Sequence, residues 1–203
     1  IDEVAERELD LLRESRGLGP DTVIVHGTGL TATQVATSVA AGASLVWCPA
    51  SNHRLFGKTV FHRQFFHAGR LALGSDSRLS GSRDLLDELR VARKESGLSP
   101  REILQIATEA GERVCQMPPG EDQIVLGVNG GDPAEALLAA TRRDLALVIR
   151  RGLPVLGDAE FEETLLESGV PVIRFQLDGK PKVGDSRVFR REIFDLEPGL
   201  SLS

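Results

Sequence analysis

Thr22-Val23-Ile24-Val25-His26-Gly27-Thr28-Gly29-Leu30-Thr31 is the stretch on which the fold turns. A short β-branched run reads as a strand. It ends in a histidine and glycines, and Thr31 then stands where a helix N-cap belongs. The same design recurs in Ser44-Leu45-Val46-Trp47-Cys48-Pro49 and in Arg70-Leu71-Ala72-Leu73-Gly74-Ser75-Asp76-Ser77. Each apolar run delivers a polar or special residue at its C-terminal end. Nearly continuous apolar strands indicate parallel strands covered on both faces. Right-handed crossovers would then put all three C-termini on one rim, where α/β proteins bind ligands. His26 and Asp76 are thereby predicted to share a site.

Outward from these strands, residues 2–15 carry apolar positions at helical spacing, with Asp2 and Glu3 suited to a helix N-terminus. Further helices are expected over Thr31–Ala41 and Arg83–Lys94 and after Ser99-Pro100-Arg101-Glu102, which has a capping-box pattern with Pro at the first helical position. Residues 49–57 read as a polar loop, followed by a short amphipathic stretch containing Phe61, Phe65 and Phe66. Beyond Met117-Pro118-Pro119-Gly120 the pattern changes. Short strands are expected at Gln123–Val128, Leu145–Ile149 and Val170–Leu177, helical pieces at Pro133–Ala140 and Ala159–Glu167, and hairpin turns at Asp178-Gly179 and Arg151-Gly152. The predicted organisation is therefore residues 1–118, strand and helix alternating, and residues 119–203, a mixed β-rich accessory region.

Composition narrows the function. The 203 residues carry 41% hydrophobic and 27% charged side chains, as in a globular protein. A net charge of -6 argues against non-specific nucleic-acid binding. No run approaches the roughly 20 apolar residues of a membrane span. Cys48 and Cys115 lack CxxC spacing, so neither a disulfide framework nor a structural zinc site is expected, and a cytoplasmic location follows most simply. The chain opens at Ile1 inside a helical pattern and its only methionine is Met117, so it is expected to be an internal or C-terminal portion of something longer.

Gly27-Thr28-Gly29-Leu30-Thr31-Ala32 also fits GxGxxA, the loop of Rossmann-type nucleotide binders, but the acidic residue expected about 20 positions on is missing. Taken in isolation, His26 reads first as a structural histidine, and Asp76, between two serines, as a cap or turn residue. Together at equivalent strand ends they suit metal-assisted chemistry, since imidazole and carboxylate are the usual nitrogen and oxygen ligands of zinc or iron. Cys48 reads as a small buried hydrophobe rather than a nucleophile. His53, His62 and His67 show no ligand spacing. Phe56, Phe61, Phe65 and Phe66 read as core, and the charged stretches as solvated helix faces.

Val25-His26-Gly27, Val46-Trp47-Cys48-Pro49-Ala50-Ser51-Asn52 with Leu55-Phe56-Gly57-Lys58-Thr59, and Leu73-Gly74-Ser75-Asp76-Ser77 resemble the metal-dependent amidohydrolase superfamily. The branch in question holds cytosine deaminase, guanine deaminase and the triazine hydrolases. Order and spacing agree over residues 1 to about 115, Ala107-Thr108-Glu109-Ala110-Gly111 resembles that family's A-T-x-x-G helix, and Leu147–Val155 its closing β-segment. The resemblance implies an α/β fold, the C-terminal part of a (β/α)8 TIM-like barrel. Three βα units would supply the sixth, seventh and eighth strands, ahead of the small β-rich region.

Carried over residue by residue, the resemblance makes Asp76 a metal ligand and proton handler. His26 becomes a catalytic and substrate-binding contact, and Ser51 and Asn52 shape the pocket. One divalent ion, zinc or iron, is the implied cofactor, and a small molecule the substrate. The family's first-strand His-x-His pair, fifth-strand histidine and acid/base glutamate have no counterpart here. The implied partner is thus a missing N-terminal part or another chain that completes the barrel, in a homo-oligomer, with no nucleic acid and no membrane. The expected function is a portion of a hydrolase acting on C–N bonds, inactive in isolation. The alternatives are a non-catalytic barrel piece serving as an assembly subunit and, from the glycine loop, a nucleotide binder.

Overall fold

The strand at Val23–Val25 forms because β-branched side chains suit a pleated surface, and with two further apolar runs it builds the sheet of the first part of the molecule. The computed structural model describes residues 3–117, 120–127 and 130–202, with the side chains of residues 3–6 left aside. The chain divides into two compact units, Ile1–Pro118 and Pro119–Ser203.

The first unit runs α1 (Glu3–Glu14), β1 (Val23–Val25), α2 (Ala32–Ala40), β2 (Ser44–Trp47), α3 (Pro49–Phe56), α4 (Arg63–His67), β3 (Leu71–Leu73), α5 (Leu85–Ser96), α6 (Pro100–Ala107) and α7 (Glu109–Val114). Its strands pair in parallel in the order β1-β2-β3, with Ile24 opposite Leu45 and Val46 opposite Ala72. Parallel pairing puts the three C-terminal strand ends on one rim. Around the sheet the core is Leu45, Trp47, Phe65, Leu71, Ile103 and Ile106, all essentially sealed from solvent. Burying each such side chain contributes roughly 1.5–3 kcal/mol. Ser99 and Glu102 cap α6 reciprocally as their spacing predicts, and Thr31 with Gln34 forms a second capping box at α2.

Two local expectations need correction. Residues 49–56 are a helix rather than a polar loop. Pro49 at N1 is already in helical φ, and the buried Glu88 accepts the Ala50 N–H at 2.9 Å, anchoring the first turn. The helix expected over Arg83–Lys94 begins at Leu85, because the Asp84 side chain caps it by accepting from Asp87 N–H.

The second unit runs β4 (Gln123–Leu126), α8 (Pro133–Ala139), β5 (Leu145–Arg150), β6 (Leu153–Asp158), α9 (Glu162–Glu167), β7 (Val172–Leu177), β8 (Lys180–Asp185), α10 (Arg191–Leu196) and β9 (Leu200–Leu202). Its antiparallel sheet has the order β4-β5-β6-β8-β7-β9. Both predicted hairpins form. Asp178 and Gly179 take φ 48° and 78°, and Arg151 and Gly152 φ 51° and 76°, the left-handed pair that a two-residue turn requires. Leu147, Leu165, Val170 and Val183 pack on one face of the sheet, and Leu156, Phe175 and Leu177 on the other. The return strands β6 and β8 are implied by those turns, whereas β9 and α10 were not anticipated, and Val128, placed in a strand from the sequence, lies outside the described residues.

Candidate functional site at the strand ends

β1 carries His26 because the chain leaves the strand by two consecutive left-handed residues, His26 (φ 69°) and Gly27 (φ 65°). His26 N–H still donates to Val46 O at 2.9 Å, so the ring starts from a backbone tied to β2. The turn is pinned from outside by His62, whose Nε2 lies 2.7 Å from Gly27 O. A carbonyl only accepts, so His62 is the donor. His62 caps the start of α4 and is a buried structural histidine, while His53 pairs with Glu95 at 3.2 Å.

β2 runs straight into α3, whose first turns place Ser51 and Asn52, both fully buried, under the rim. β3 continues through Gly74, which donates to Trp47 O, to Asp76 at φ 55°. The loop after it closes so tightly that a Cβ on Gly81 would lie 1.8 Å from the Ser75 carbonyl oxygen.

All four residues singled out from the sequence meet here. His26 Nε2 is 3.9 Å from Asp76 Oδ2. Asp76 Oδ2 accepts from the Ser51 hydroxyl and, at 2.9 Å, from the Ser80 hydroxyl. His26 Nδ1 lies 2.9 Å from Asn52 Oδ1. Asn52 Nδ2 donates in turn to Thr59 Oγ1 at 3.1 Å, and Trp47 Nε1 donates to the same oxygen at 2.8 Å. The His26 and Asp76 side chains keep 27% and 30% of their surface open, enough for an incoming molecule to reach both.

The hydroxyls of Ser51 and then Ser80 hold the Asp76 carboxyl below the usual carboxylate range, so it is ionised at neutral pH. Behind it, burial first, and then the charges of Asp76 and Glu88, push the Cys48 thiol up to about 11, which leaves it protonated and inert. Ser80 and Glu88 had no signal in the sequence that tied them to the site, while Phe56 and Thr59 stand in the Leu55-Phe56-Gly57-Lys58-Thr59 segment of the resemblance without a role assigned. Phe56, read as core, is half exposed with its ring edge-on to His26 at 6.1 Å, and Glu88, on a helix read as solvated, is buried.

The donor chemistry suits a divalent ion in part. An ionised carboxylate and an imidazole are ligands of the right type, open to solvent and close together. Among the described residues, however, no group of three or more His, Cys, Asp or Glu side chains is gathered where a metal could sit. Catalytic zinc generally takes three protein ligands.

The model of the amidohydrolase family matches residues 2–121, and the chain belongs to that family. Over 94 residues it is 37% identical to aminodeoxyfutalosine deaminase of Deinococcus radiodurans, covering 45% of this chain and 22% of that protein. Over 140 residues it is 33% identical to 5-methylthioadenosine/S-adenosylhomocysteine deaminase of Pyrococcus furiosus, covering 68% and 32%. In fold it is similar to an adenosine deaminase from Xanthomonas campestris with bound zinc (TM-score 0.66, 21% identity, 79% of this chain and 44% of that one). It is also similar to atrazine chlorohydrolase from Arthrobacter aurescens complexed with zinc (TM-score 0.63, 20% identity, 79% and 42%). The chain spans about a fifth to a third of the length of these curated relatives and less than half of the solved chains.

Proposed function

We propose that the chain is the C-terminal portion of a metal-dependent hydrolase that cleaves C–N bonds, deaminating a heterocyclic amine of the adenosine type. On this reading residues 1–118 supply the last three strands of a (β/α)8 barrel, and residues 119–203 are its accessory region. The carrying observation is the approach of His26 Nε2 to within 3.9 Å of Asp76 Oδ2 from two strands of one parallel sheet, inside the family-matched segment. The substrate class follows from the relatives, which are named for deaminating 5-methylthioadenosine, S-adenosylhomocysteine and aminodeoxyfutalosine.

Hydrolytic deamination adds water to the ring carbon that bears the amino group and expels ammonia. One proton of the water ends on the amino nitrogen and one on the ring nitrogen, while its oxygen becomes the carbonyl. Asp76, ionised and aimed by Ser51 and Ser80, accepts a proton as the C–O bond forms and returns it to the departing nitrogen. His26 contacts the water or the substrate, and Ser51 and Asn52 hold the two reacting side chains in place. A divalent ion, zinc or iron, would be held by Asp76 together with histidines that this chain does not supply, and would provide the Lewis acidity that makes water reactive near neutral pH.

The test is ammonia release from adenosine and 5-methylthioadenosine in the presence of zinc. It compares the 203-residue chain alone with the protein completed by a histidine-bearing barrel segment. Turnover is expected only in the completed protein, and Asp76→Asn should lower it by about 100-fold or more. Robust turnover by the chain alone, or an unimpaired Asp76→Asn enzyme, overturns the reading.

A second reading is a non-catalytic assembly subunit. It is favoured by the flank of β1, where Val23 and Val25 are 41% and 52% exposed. Sedimentation of a metal-free, inactive but stably associated completed protein would support it.

A further inference from the structure

An indole N–H can only donate. Trp47 Nε1 therefore fixes Thr59 Oγ1 as its acceptor at 2.8 Å, with the tryptophan ring sealed in the core. The same oxygen lies 3.1 Å from the Asn52 amide nitrogen, and the other end of that amide lies 2.9 Å from His26 Nδ1. Four side chains thus form one line, from the buried core to a ring at the strand-end site. We infer that Thr59 is a positioning residue: through Asn52 it holds His26 in the tautomer protonated on Nδ1, leaving the Nε2 lone pair facing the space beside Asp76.

Two hydrogen-bond patterns satisfy the line. In the first, Thr59 accepts from Asn52 Nδ2, and Asn52 Oδ1 accepts from His26 Nδ1–H. In the second, the amide is turned over, the Thr59 hydroxyl donates to it, and His26 carries its proton on Nε2. The amide stands in the first pattern, with Nδ2 toward Thr59 and Oδ1 toward His26 Nδ1. The oxygen facing His26 already accepts from two hydroxyls, those of Ser51 and Ser80, and stands 3.9 Å from Nε2, beyond hydrogen-bond reach. Nε2 therefore makes no direct hydrogen bond to Asp76. A lone pair on Nε2 instead accepts a hydrogen from whatever binds in the gap, a water or a substrate N–H or O–H. Thr59 and Trp47 touch neither reacting group and act only through Asn52. The catalytic meaning of the tautomer rests on the function proposed above, but the hydrogen-bond line itself does not.

The experiment is long-range proton–nitrogen NMR of the 15N-labelled 203-residue chain at mildly alkaline pH, with His26 assigned by its loss in His26→Gln. The chain has one tryptophan, so a single indole resonance reports the Trp47–Thr59 bond. The expected spectrum shows His26 Nδ1 with a pyrrole-like shift and Nε2 with a pyridine-like one, and an indole proton displaced downfield. Thr59→Val should move the indole resonance upfield and draw the two His26 nitrogen shifts toward their average, as the tautomers mix. Thr59→Ser, which keeps the hydroxyl, should restore both signatures. A wild-type His26 protonated on Nε2 overturns the inference whether or not any variant folds. So does a folded Thr59→Val that leaves the His26 shifts unchanged. A chain with the expected tautomer whose completed protein shows no hydrolysis leaves this inference standing and removes the function proposed above.

Discussion

His26 and Asp76 project from β1 and β3, which do not touch: β2 lies between them, and neighbouring strands stand about 4.8 Å apart. Their side chains nevertheless approach to 3.9 Å, and each starts from left-handed backbone, φ 69° and φ 55°. The turn at each strand end is what swings the two side chains toward each other over the end of β2. For a residue with a Cβ that backbone costs about 1–2 kcal/mol, and glycine escapes the cost.

The backbone cost at position 26 can be measured. His26→Gly and His26→Ala both lose the hydrogen bond to Asn52, so their difference isolates the left-handed conformation. The glycine variant should be the more stable by about 1 kcal/mol in urea unfolding, the reverse of the usual order. An alanine variant equal to or better than glycine would show that the turn relaxes.

Gly81→Ala should act on the site without touching it. The added methyl would meet the Ser75 carbonyl oxygen at 1.8 Å, and backbone must move to admit it. Because Ser75 precedes Asp76, the carboxylate moves too. A loss of about 1–3 kcal/mol is expected, with a fall in turnover in the completed enzyme. Gly111→Ala, where nothing lies within 4 Å, is the control and should be neutral or slightly stabilising.

In the second unit, Lys182 is 1% exposed and places its ammonium between Asp158 and Leu145 O, the latter at 2.6 Å. Asp158→Asn leaves that ammonium buried without a carboxylate and should cost about 3–5 kcal/mol. Lys182→Met should stay within about 1 kcal/mol of the parent, since Lys180 still pairs with Asp158 at 2.7 Å and burying a methionine stem offsets the loss. Equal losses in the two variants, read from denaturant midpoints, would contradict the asymmetry.

Acid stability follows from the same unit. Arg187 holds the Asp185 carboxyl below its ordinary value of 3.8, and the Thr141 backbone N–H and hydroxyl do the same for Asp144. For Asp158, burial pushes upward, but the two lysine donors outweigh it and the net shift is also downward. Carboxyls depressed in the folded state stabilise it fully above the unfolded value and lose that contribution as pH falls through their lower folded values. Circular dichroism should therefore show this unit unfolding below about pH 4, and Asp185→Asn should make the acid limb shallower. An acid limb unchanged by Asp185→Asn would count against the assignment.

How far the sequence could be read depended on whether local pattern and tertiary environment agreed. The three parallel strands, the Ser99 cap and both hairpin turns were legible because each signal is local and unopposed. His26 and Asp76 could be gathered because parallel strands bring their ends to one rim, whereas Ser51 and Asn52 entered only through the family resemblance. Residues 49–56 misled because Asn, His, Arg and a terminal Gly compose like a loop, and what holds the helix is Glu88, far along the chain. The return strands β6 and β8 were implied by the two hairpin turns, but their bounds were not marked, and Pro154 and Pro181 within them blur the strand pattern. Both share the spacing Gly-x-Pro-x-x-Gly-Asp, from Gly152 to Asp158 and from Gly179 to Asp185, and this was the overlooked sign that the two return strands are built alike. Ser80, and the role of Thr59 within its motif, were illegible because a hydroxyl in a loop carries no signature until its partner is known.

The two cysteines stand in opposite situations, Cys48 sealed behind Asp76 with its thiol raised to about 11 and Cys115 on the surface. Electrophilic dyes will therefore discriminate between them without any mutagenesis. A maleimide fluorophore added near neutral pH labels Cys115 alone, so the unaltered polypeptide can be tracked optically while its strand-end site stays chemically untouched.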